Sequence, residues 1–225
     1  MKKLAPLLLL LALTLTGCQS ALLTALVLFK GRDEPPKYDI LLKGEKRVAV
    51  VPRSVYSNSF ELQNAPREIA RQINTILDEP QNTKNKKLRI VEQSKVEEWL
   101  DNVDNDFDTF LEVGRDRLIK ADIVIGFDII EFRIRDPQNP SLIQGRCMVE
   151  VKAIDCTTGK IEAKETLTII DPPNMPLHGN ARMEPQFRAQ FIAVIAQQIA
   201  ALFHHHEPNR IRRIDADNLE MHRIQ

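Results

Sequence analysis

The chain has 225 residues, of which 43% are hydrophobic and 28% are charged. These proportions are close to ordinary globular usage, so they exclude a disordered or fibrous protein. Its 31 basic residues balance its 31 acidic residues, and a formal net charge of zero removes the electrostatic argument for nucleic acid or an anionic membrane surface as a partner.

The amino terminus has the order of features that marks an export signal. Lys2 and Lys3 precede an apolar stretch at 4–15, and small residues then lead to Cys18. As a helix this stretch would span about 18 Å, which is well short of the roughly 30 Å hydrocarbon core of a bilayer. A signal peptide over residues 1–17 therefore fits better than a transmembrane helix.

The tetrapeptide Leu-Thr-Gly-Cys at 15–18 resembles the lipobox of bacterial lipoproteins. In such proteins, signal peptidase II cuts before the cysteine once diacylglycerol has been attached to its sulfur. The resemblance implies that Cys18 is the lipid attachment site and that its acyl chains contact the membrane, each buried methylene contributing about 0.8 kcal/mol. The alternative is a plain amino-terminal membrane helix, because a second apolar run at 21–29 could extend the first.

The residues after the cysteine predict a location and a domain organisation. Gln19 resembles the outer-membrane sorting pattern, so the predicted location is the cell envelope, at the periplasmic face of the outer membrane. Residues 18–44 are the anchor and a linker that contains two adjacent prolines. A soluble α/β domain then occupies residues 45–206, and residues 207–225 form a polar carboxy-terminal tail.

The first half of the domain alternates between strands and helices. Short continuous apolar runs are typical of strands covered on both faces, and apolar residues repeating at three and four predict helices. The predicted elements are a strand at 47–51 stopped by Pro52, a helix at 65–77, a strand at 88–91, helices at 96–100 and 110–119, and a strand that begins at 122. This order implies parallel pairing through right-handed crossovers.

The second half predicts an antiparallel hairpin and a closing helix. Residues 142–155 alternate strictly, with Cys147, Val149 and Val151 on the buried side, and a turn then leads to a return strand at 160–170. In that return strand, Ile161, Ala163, Leu167 and Ile169 are predicted to share the buried face. The strand before the hairpin changes parity at Ile129 and Ile130, which predicts a bulge, and apolar residues from Phe187 to Phe203 predict the helix.

The predicted fold class is therefore α/β (α+β). It has one mixed sheet, with a parallel strand-helix-strand first half and an antiparallel hairpin second half, helices packed on the sheet, and a long C-terminal helix. Cys147 and Cys156 lie about 30 Å apart along an extended strand, and a disulfide tolerates only about 7 Å between Cα atoms. We therefore expect two free thiols on opposite faces of the sheet.

This order of elements resembles the small α/β domain shared by the TolB amino-terminal region, the curli-secretion lipoprotein CsgG and the lipoprotein activators of penicillin-binding proteins. The resemblance covers residues 45–203. It is carried by the opening strand 46–51, the stretch 117–126 with Ala121, Asp122, Ile125 and Gly126, and the hairpin 149–160. Because these motifs are mainly strand and turn signals, they imply a fold more than a function.

The histidine run at 204–206 invites a metal hypothesis. Adjacent helix positions diverge by about 100°, whereas a helical pair of metal ligands needs a spacing of three or four residues. We therefore predict a polar helix end, at which the imidazolium groups complement the helix dipole.

Three aspartates, Asp104, Asp106 and Asp108, are spaced as in a calcium loop. The glycine required at the sixth position is Thr109, however, and the terminal glutamate position holds Arg115. The sequence therefore predicts a solvated loop that caps the following helix.

Nucleophilic catalysis has little support in the sequence. Ser54, Ser57 and Ser59 lack the surroundings of a nucleophile elbow, and His178 has no evident partner. We assign no catalytic residue, no cofactor-binding residue and no metal ligand, and we expect the protein not to be an enzyme.

The leading functional hypothesis is a lipid-anchored module that docks on another envelope protein, of unknown identity, to assemble or regulate it. One alternative is a secretion-pore subunit similar to the curli channel lipoprotein, which would need amphipathic hairpins beyond those of the domain sheet. The other is an enzyme or metal-binding protein of unknown substrate, which only scattered polar residues support.

Overall fold

The computed structural model describes residues 34–42, 44–54, 64–79, 87–104, 107–173, 176–179 and 183–206. The chain divides into two compact units. One unit is Pro36–His205, and the other takes in Met1–Pro35 and His206–Gln225. Among the described residues of the latter, Glu34 and His206 form an isolated antiparallel bridge with backbone N–O distances of 2.9 and 3.1 Å.

The unit Pro36–His205 contains a six-stranded mixed sheet with helices packed on it, which confirms the predicted fold class. The strands are β1 Lys46–Ser54, β2 Leu88–Ile90, β3 Ile123–Arg135, β4 Leu142–Asp155, β5 Ile161–Asp171 and β6 Leu177–His178. The α-helices are α1 Ala65–Asp78, α2 Gln93–Asn102, α3 Phe110–Arg115 and α4 Glu184–Ala201, and a 3-10 turn covers Asp39–Leu41. None of the helices among the described residues is both long and apolar enough to cross a membrane.

The strands lie in the order β2-β1-β3-β4-β5, with β6 pairing with β4. β2, β1 and β3 are parallel, as the crossovers through α1 and through α2 and α3 require, whereas β3, β4 and β5 are antiparallel. The prediction that Pro52 stops the first strand was wrong, because Pro52 lies opposite Phe127 within β1. Among the described residues β2 pairs only with Lys46–Val48, and a residue without an N–H is tolerated beyond that pairing.

Two apolar cores lie on opposite faces of the sheet. α1 and α4 cover one face, where Val149 and Val151 of β4 are buried together with Phe191 of α4. α2 and α3 cover part of the other face. Cys147 belongs to the first core and Cys156 to the second, and both are free thiols, as predicted.

A close approach fixes α4 on the sheet. A Cβ atom at Gly145 would lie 2.6 Å from the Phe191 ring, so only a glycine lets the ring rest on β4. The buried residues of α4 and the segment after it include the predicted apolar positions from Phe187 to Phe203. His204, the first residue of the predicted polar helix end, is only 5% exposed.

The third helix is shorter than its apolar pattern predicts. It ends at Arg115, because the backbone of Asp116 is extended and its carboxylate accepts a hydrogen bond from the Leu118 backbone nitrogen at 2.8 Å. Leu118 is therefore exposed, and only Ile119 enters the core.

The strand register confirms one prediction and shows that another was wrong. The predicted bulge in β3 is confirmed by a register shift between Ile129 and Glu131. A second shift, in the pairing of β4 with β5, sets Ile161 opposite Ile154 while Ala163 stays opposite Ala153. Ile161 consequently leaves the buried face on which the alternation placed it, and it is 50% exposed.

Candidate functional site

On the sheet face opposite α1 and α4, the part of β3, β4 and β5 that α2 and α3 leave uncovered keeps its side chains in partial or full contact with solvent. The burial of β4 alternates from Leu142 to Ala153, so residues facing α4 are buried and those between them are not. We call the second set, with its neighbours on β3 and β5, the open face. It comprises Glu131, Arg133, Arg146, Met148, Glu150, Lys152, Lys164, Thr166, Thr168 and Ile170.

A buried carboxylate lies at the border of the open face. Asp128 of β3 sits opposite Arg53 of β1 in the parallel register. The Arg53 guanidinium donates Nε to Asp128 Oδ1 at 2.5 Å and Nη2 to Oδ2 at 3.1 Å. This two-bond arrangement is the strongest form of a charge-assisted pair, and hydrogen bonding to the carboxylate raises the pKa of Arg53.

Aromatic rings hold the guanidinium of Arg53 from its other side. Its Cζ atom lies 4.7 Å from the ring centroid of Phe110 and 5.4 Å from that of Phe107. Gly126 makes this possible, since a Cβ atom there would lie 2.3 Å from the Phe110 ring. The glycine therefore lets Phe110 lie on β3, and the ring then packs against the arginine that pairs with Asp128.

The charge pairing continues across the sheet. Lys152 Nζ lies 3.5 Å from Asp128 Oδ2 and also contacts Glu150, whose other oxygen lies 2.9 Å from Lys164 Nζ. Hydrogen bonds from the two lysines lower the pKa of Glu150. The row from Arg53 to Lys164 thus alternates in sign over strands β1, β3, β4 and β5.

A second cluster extends the open face toward the other end of β3. Glu131 accepts a hydrogen bond from Arg146 Nε at 3.2 Å, and Arg133 Nε lies 3.4 Å from the same carboxylate. All three side chains are about one third exposed, so water screens these pairs more than the Arg53–Asp128 pair. The open face therefore presents fixed positive and negative groups at defined positions.

Two side chains of this row are stabilised in their ionised form by their partners. Hydrogen bonding raises the pKa of Arg53 and lowers the pKa of Glu150, and both changes favour the charged state. A general acid or base instead needs a pKa near the working pH. In the described part of the chain, no group of three or more His, Cys, Asp or Glu side chains is placed to share a metal ion.

The structure separates the other residues that the sequence singled out. Cys18, Ser57, Ser59 and Asp106 lie outside the described residues, and the side chain of Ser54 is not described. His178 is exposed at the end of β6. Thr109 caps α3, as predicted for this loop, because its hydroxyl oxygen accepts a hydrogen bond from the Glu112 backbone nitrogen at 3.3 Å. His204 Nδ1 contacts the backbone oxygen of His205.

Sequence reasoning missed the pair of Arg53 and Asp128. One signal was available, because Asp128 is a carboxylate inside an otherwise apolar run and a charge in such a run needs a partner. The partner itself follows only from the parallel register of β1 and β3.

No family model matches the chain, and no curated protein matches it either. Similar solved structures include a PelC dodecamer variant from Paraburkholderia phytofirmans, with 14% identity, 76% of this chain and 95% of that chain covered, and a TM-score of 0.42. They also include the lipoprotein GNA1162 from Neisseria meningitidis, with 13% identity, 68% and 97% coverage, and a TM-score of 0.39. A putative neuraminyllactose-binding hemagglutinin homolog from Helicobacter pylori has 12% identity, 76% and 89% coverage, and a TM-score of 0.37.

A bacterial lipoprotein is thus among the structures similar to this chain. At these identities and TM-scores, the similarity is limited to part of the backbone path. No functional conclusion rests on it. The resemblance to the TolB, CsgG and penicillin-binding-protein-activator group stays a prediction.

Proposed function

We propose that the protein is a lipid-anchored component of the bacterial cell envelope whose domain is a protein-interaction or assembly module, without enzymatic activity. The anchor is Cys18, and the proposed location is the periplasmic face of the outer membrane. The linker from Cys18 to the start of the folded unit at Pro36 reaches up to about 60 Å when extended.

The open face is the observation that carries the proposed interaction role. Its charged side chains are already held by partners within the sheet, so binding would order few additional rotamers. Its alternating signs favour a partner with the complementary order of charges, and like charges in the wrong register would oppose binding. Thr166, Thr168 and Ile170 on β5 add a less charged strip at the edge of the same face.

In-cell photocrosslinking of the full-length lipoprotein tests this role. A photoreactive residue at Thr166 or Thr168 should give one discrete crosslinked product with an envelope protein. Thr75 is the matched control, because it is an exposed threonine on α1, outside the sheet. Equal crosslinking at Thr75, or none at the two strand positions, would contradict the assignment of the open face.

Charge reversal provides the second arm of the experiment. Lys164→Glu places a negative charge beside Glu150 on the open face and should reduce the yield of the crosslink at Thr168. Lys95→Glu makes the same change at an exposed lysine of α2, and the yield should stay at the wild-type level. If both variants lower the yield alike, the effect comes from net charge and not from the pattern of the open face.

A further inference from the structure

The most exposed large apolar side chains lie at one end of the sheet. Among the described residues, Ile161 and Leu118 are 50% and 48% exposed, more than the other exposed large apolar residues. Arg117 and Lys120 lie beside Leu118 in sequence, and Ile161 follows Lys160, whose Nζ lies 3.0 Å from Glu162 Oε1. Exposed cations next to exposed apolar groups are the combination that binds the interface of an anionic bilayer.

The loop that carries Leu118 has a fixed shape. The backbone oxygen of Asp116 accepts a hydrogen bond from the Lys120 nitrogen at 2.8 Å, and Lys120 adopts a φ of 45°. Ile119 is buried in the core below α3, which leaves Arg117, Leu118 and Lys120 on the outside. The three outward side chains are therefore presented by a turn anchored on both sides.

The turn before Ile161 adjoins this loop. Arg115 donates Nε to the Cys156 backbone oxygen at 2.7 Å and Nη2 to the Thr157 oxygen at 3.4 Å. Asp155 is held in the turn by the backbone nitrogens of Thr157 and Thr158 at 2.9 and 2.8 Å. The two segments are thus neighbours, and we call their outward residues Arg117, Leu118, Lys120, Lys160 and Ile161 the basic end.

The start of the folded unit contacts β5, the strand that begins at Ile161. Tyr38, two residues after the unit begins, donates its hydroxyl to Glu165 Oε2 at 3.0 Å and to the Lys164 backbone oxygen at 3.3 Å. Lys164 is three residues beyond Ile161 on β5, which corresponds to about 10 Å along the strand. The start of the folded unit therefore contacts β5 within a few residues of Ile161.

We propose that the basic end docks on the phospholipid surface that holds the anchor, with Leu118 and Ile161 in the headgroup region and Arg117 and Lys120 against lipid phosphates. This inference rests on the proposed lipid anchor but goes beyond the interaction role. The zero net charge of the chain concerns only its sum, whereas docking depends on the local distribution.

Site-specific fluorescence on the lipidated full-length protein tests the docking. Leu118→Cys, Ile161→Cys and Gln138→Cys variants, each labelled with a polarity-sensitive dye, are compared in vesicles of phosphatidylethanolamine and phosphatidylglycerol with a neutral aqueous quencher. Gln138 is the matched control, since it is an exposed residue in the loop between β3 and β4, at the other end of the sheet. The two native thiols are buried, and an unlabelled wild-type sample checks that they do not take up dye.

The dyes at Leu118 and Ile161 should be shielded from the quencher on vesicles but not in detergent micelles, whereas the dye at Gln138 should be equally accessible in both. Arg117→Gln and Lys120→Gln should each shift the equilibrium toward the undocked state about fivefold, the effect expected for one cation near an anionic surface. Lys95→Gln should leave the equilibrium unchanged.

Flotation with the vesicles separates the two proposals. If the wild-type protein does not float, the anchor and the docking fail together. If it floats but the dyes at Leu118 and Ile161 are quenched as strongly as at Gln138, only the docking is overturned. Shielding that persists in detergent, or that grows with protein density on the vesicles, would assign this surface to a second copy of the chain and would also overturn it.

Discussion

The carboxylate of Asp128 should contribute more to stability than an exposed carboxylate. Its side chain is only 7% exposed, and Asp128→Asn removes the charge that balances Arg53, which is 28% exposed. Breaking a fully buried ion pair costs about 3–5 kcal/mol. Because Arg53 can recover part of its hydration, we expect the free energy of unfolding to fall by about 2–3 kcal/mol.

Urea unfolding of the full-length protein at neutral pH measures this loss. With an m-value of about 2 kcal/mol/M, the midpoint should fall by roughly 1 M. Asp101→Asn is the control, since Asp101 also pairs with an arginine but is 61% exposed, and its midpoint should stay close to that of the wild type.

A double-mutant cycle isolates the pair itself. Arg53→Met removes the guanidinium but keeps an apolar side chain against the two phenylalanine rings. If the pair is the source of the stability, the double variant should lose less than the sum of the two single variants, with a coupling of about 1–3 kcal/mol. Additive losses, or an Asp128→Asn midpoint equal to that of Asp101→Asn, would refute the reasoning.

Three further expectations concern the sheet and its thiols. Lysine hydrogen bonds lower the pKa of Glu150 below its ordinary 4.5, so the ionised Glu150 stabilises the fold above pH 4.5. This contribution is lost as the pH falls through the lowered pKa. In the Glu150→Gln variant, the urea midpoint should therefore depend less on pH than in the wild type. Gly126→Ala should cost about 1–3 kcal/mol by overpacking, seen as a lower melting temperature, whereas an unchanged value would show that the aromatic ring can move away. Burial raises the pKa of Cys147 to about 12 and of Cys156 to about 11, so neither should react with a thiol reagent at mildly alkaline pH until denaturant is added, and rapid native reaction would place them at the surface.

The sheet could be predicted because its signals are local and periodic. The continuous apolar run in β1 indicates a strand covered on both faces, and the strict alternation in β4 indicates one covered on a single face. The parity change at Ile129 announced the bulge in β3, since a shift of one residue reverses the side-chain pattern. Each of these features is visible within a stretch of about a dozen residues.

The corrections arise where a hydrogen bond or a strand pairing overrides the apolar pattern. Leu118 continues the apolar spacing of α3, but the carboxylate of Asp116 ends the helix before that residue. Ile161 continues the alternation of β5, but the shifted pairing with β4 moves it to the other face. Both residues were expected in the core, and both now lie on the basic end.

The charge row on the open face could not be predicted from the sequence, because most of its pairs join residues of different strands. Alternation identifies Lys152 as solvent-facing, and on that ground alone Lys152→Asp should be tolerated. The structure places Lys152 between Asp128 and Glu150, so the new carboxylate would face two others. Tolerance is instead expected at Thr166, an exposed position on β5.

The central claim is that the chain is a lipoprotein anchored through Cys18, and metabolic labelling with a palmitate analogue tests it most directly. The wild-type protein should carry the label, and mass spectrometry should find a mature chain that begins at Cys18 and lacks residues 1–17. Cys18→Ala should abolish both the label and the cleavage, because the thiol is the acyl acceptor. Labelling of Cys18→Ala at the wild-type level would contradict the account.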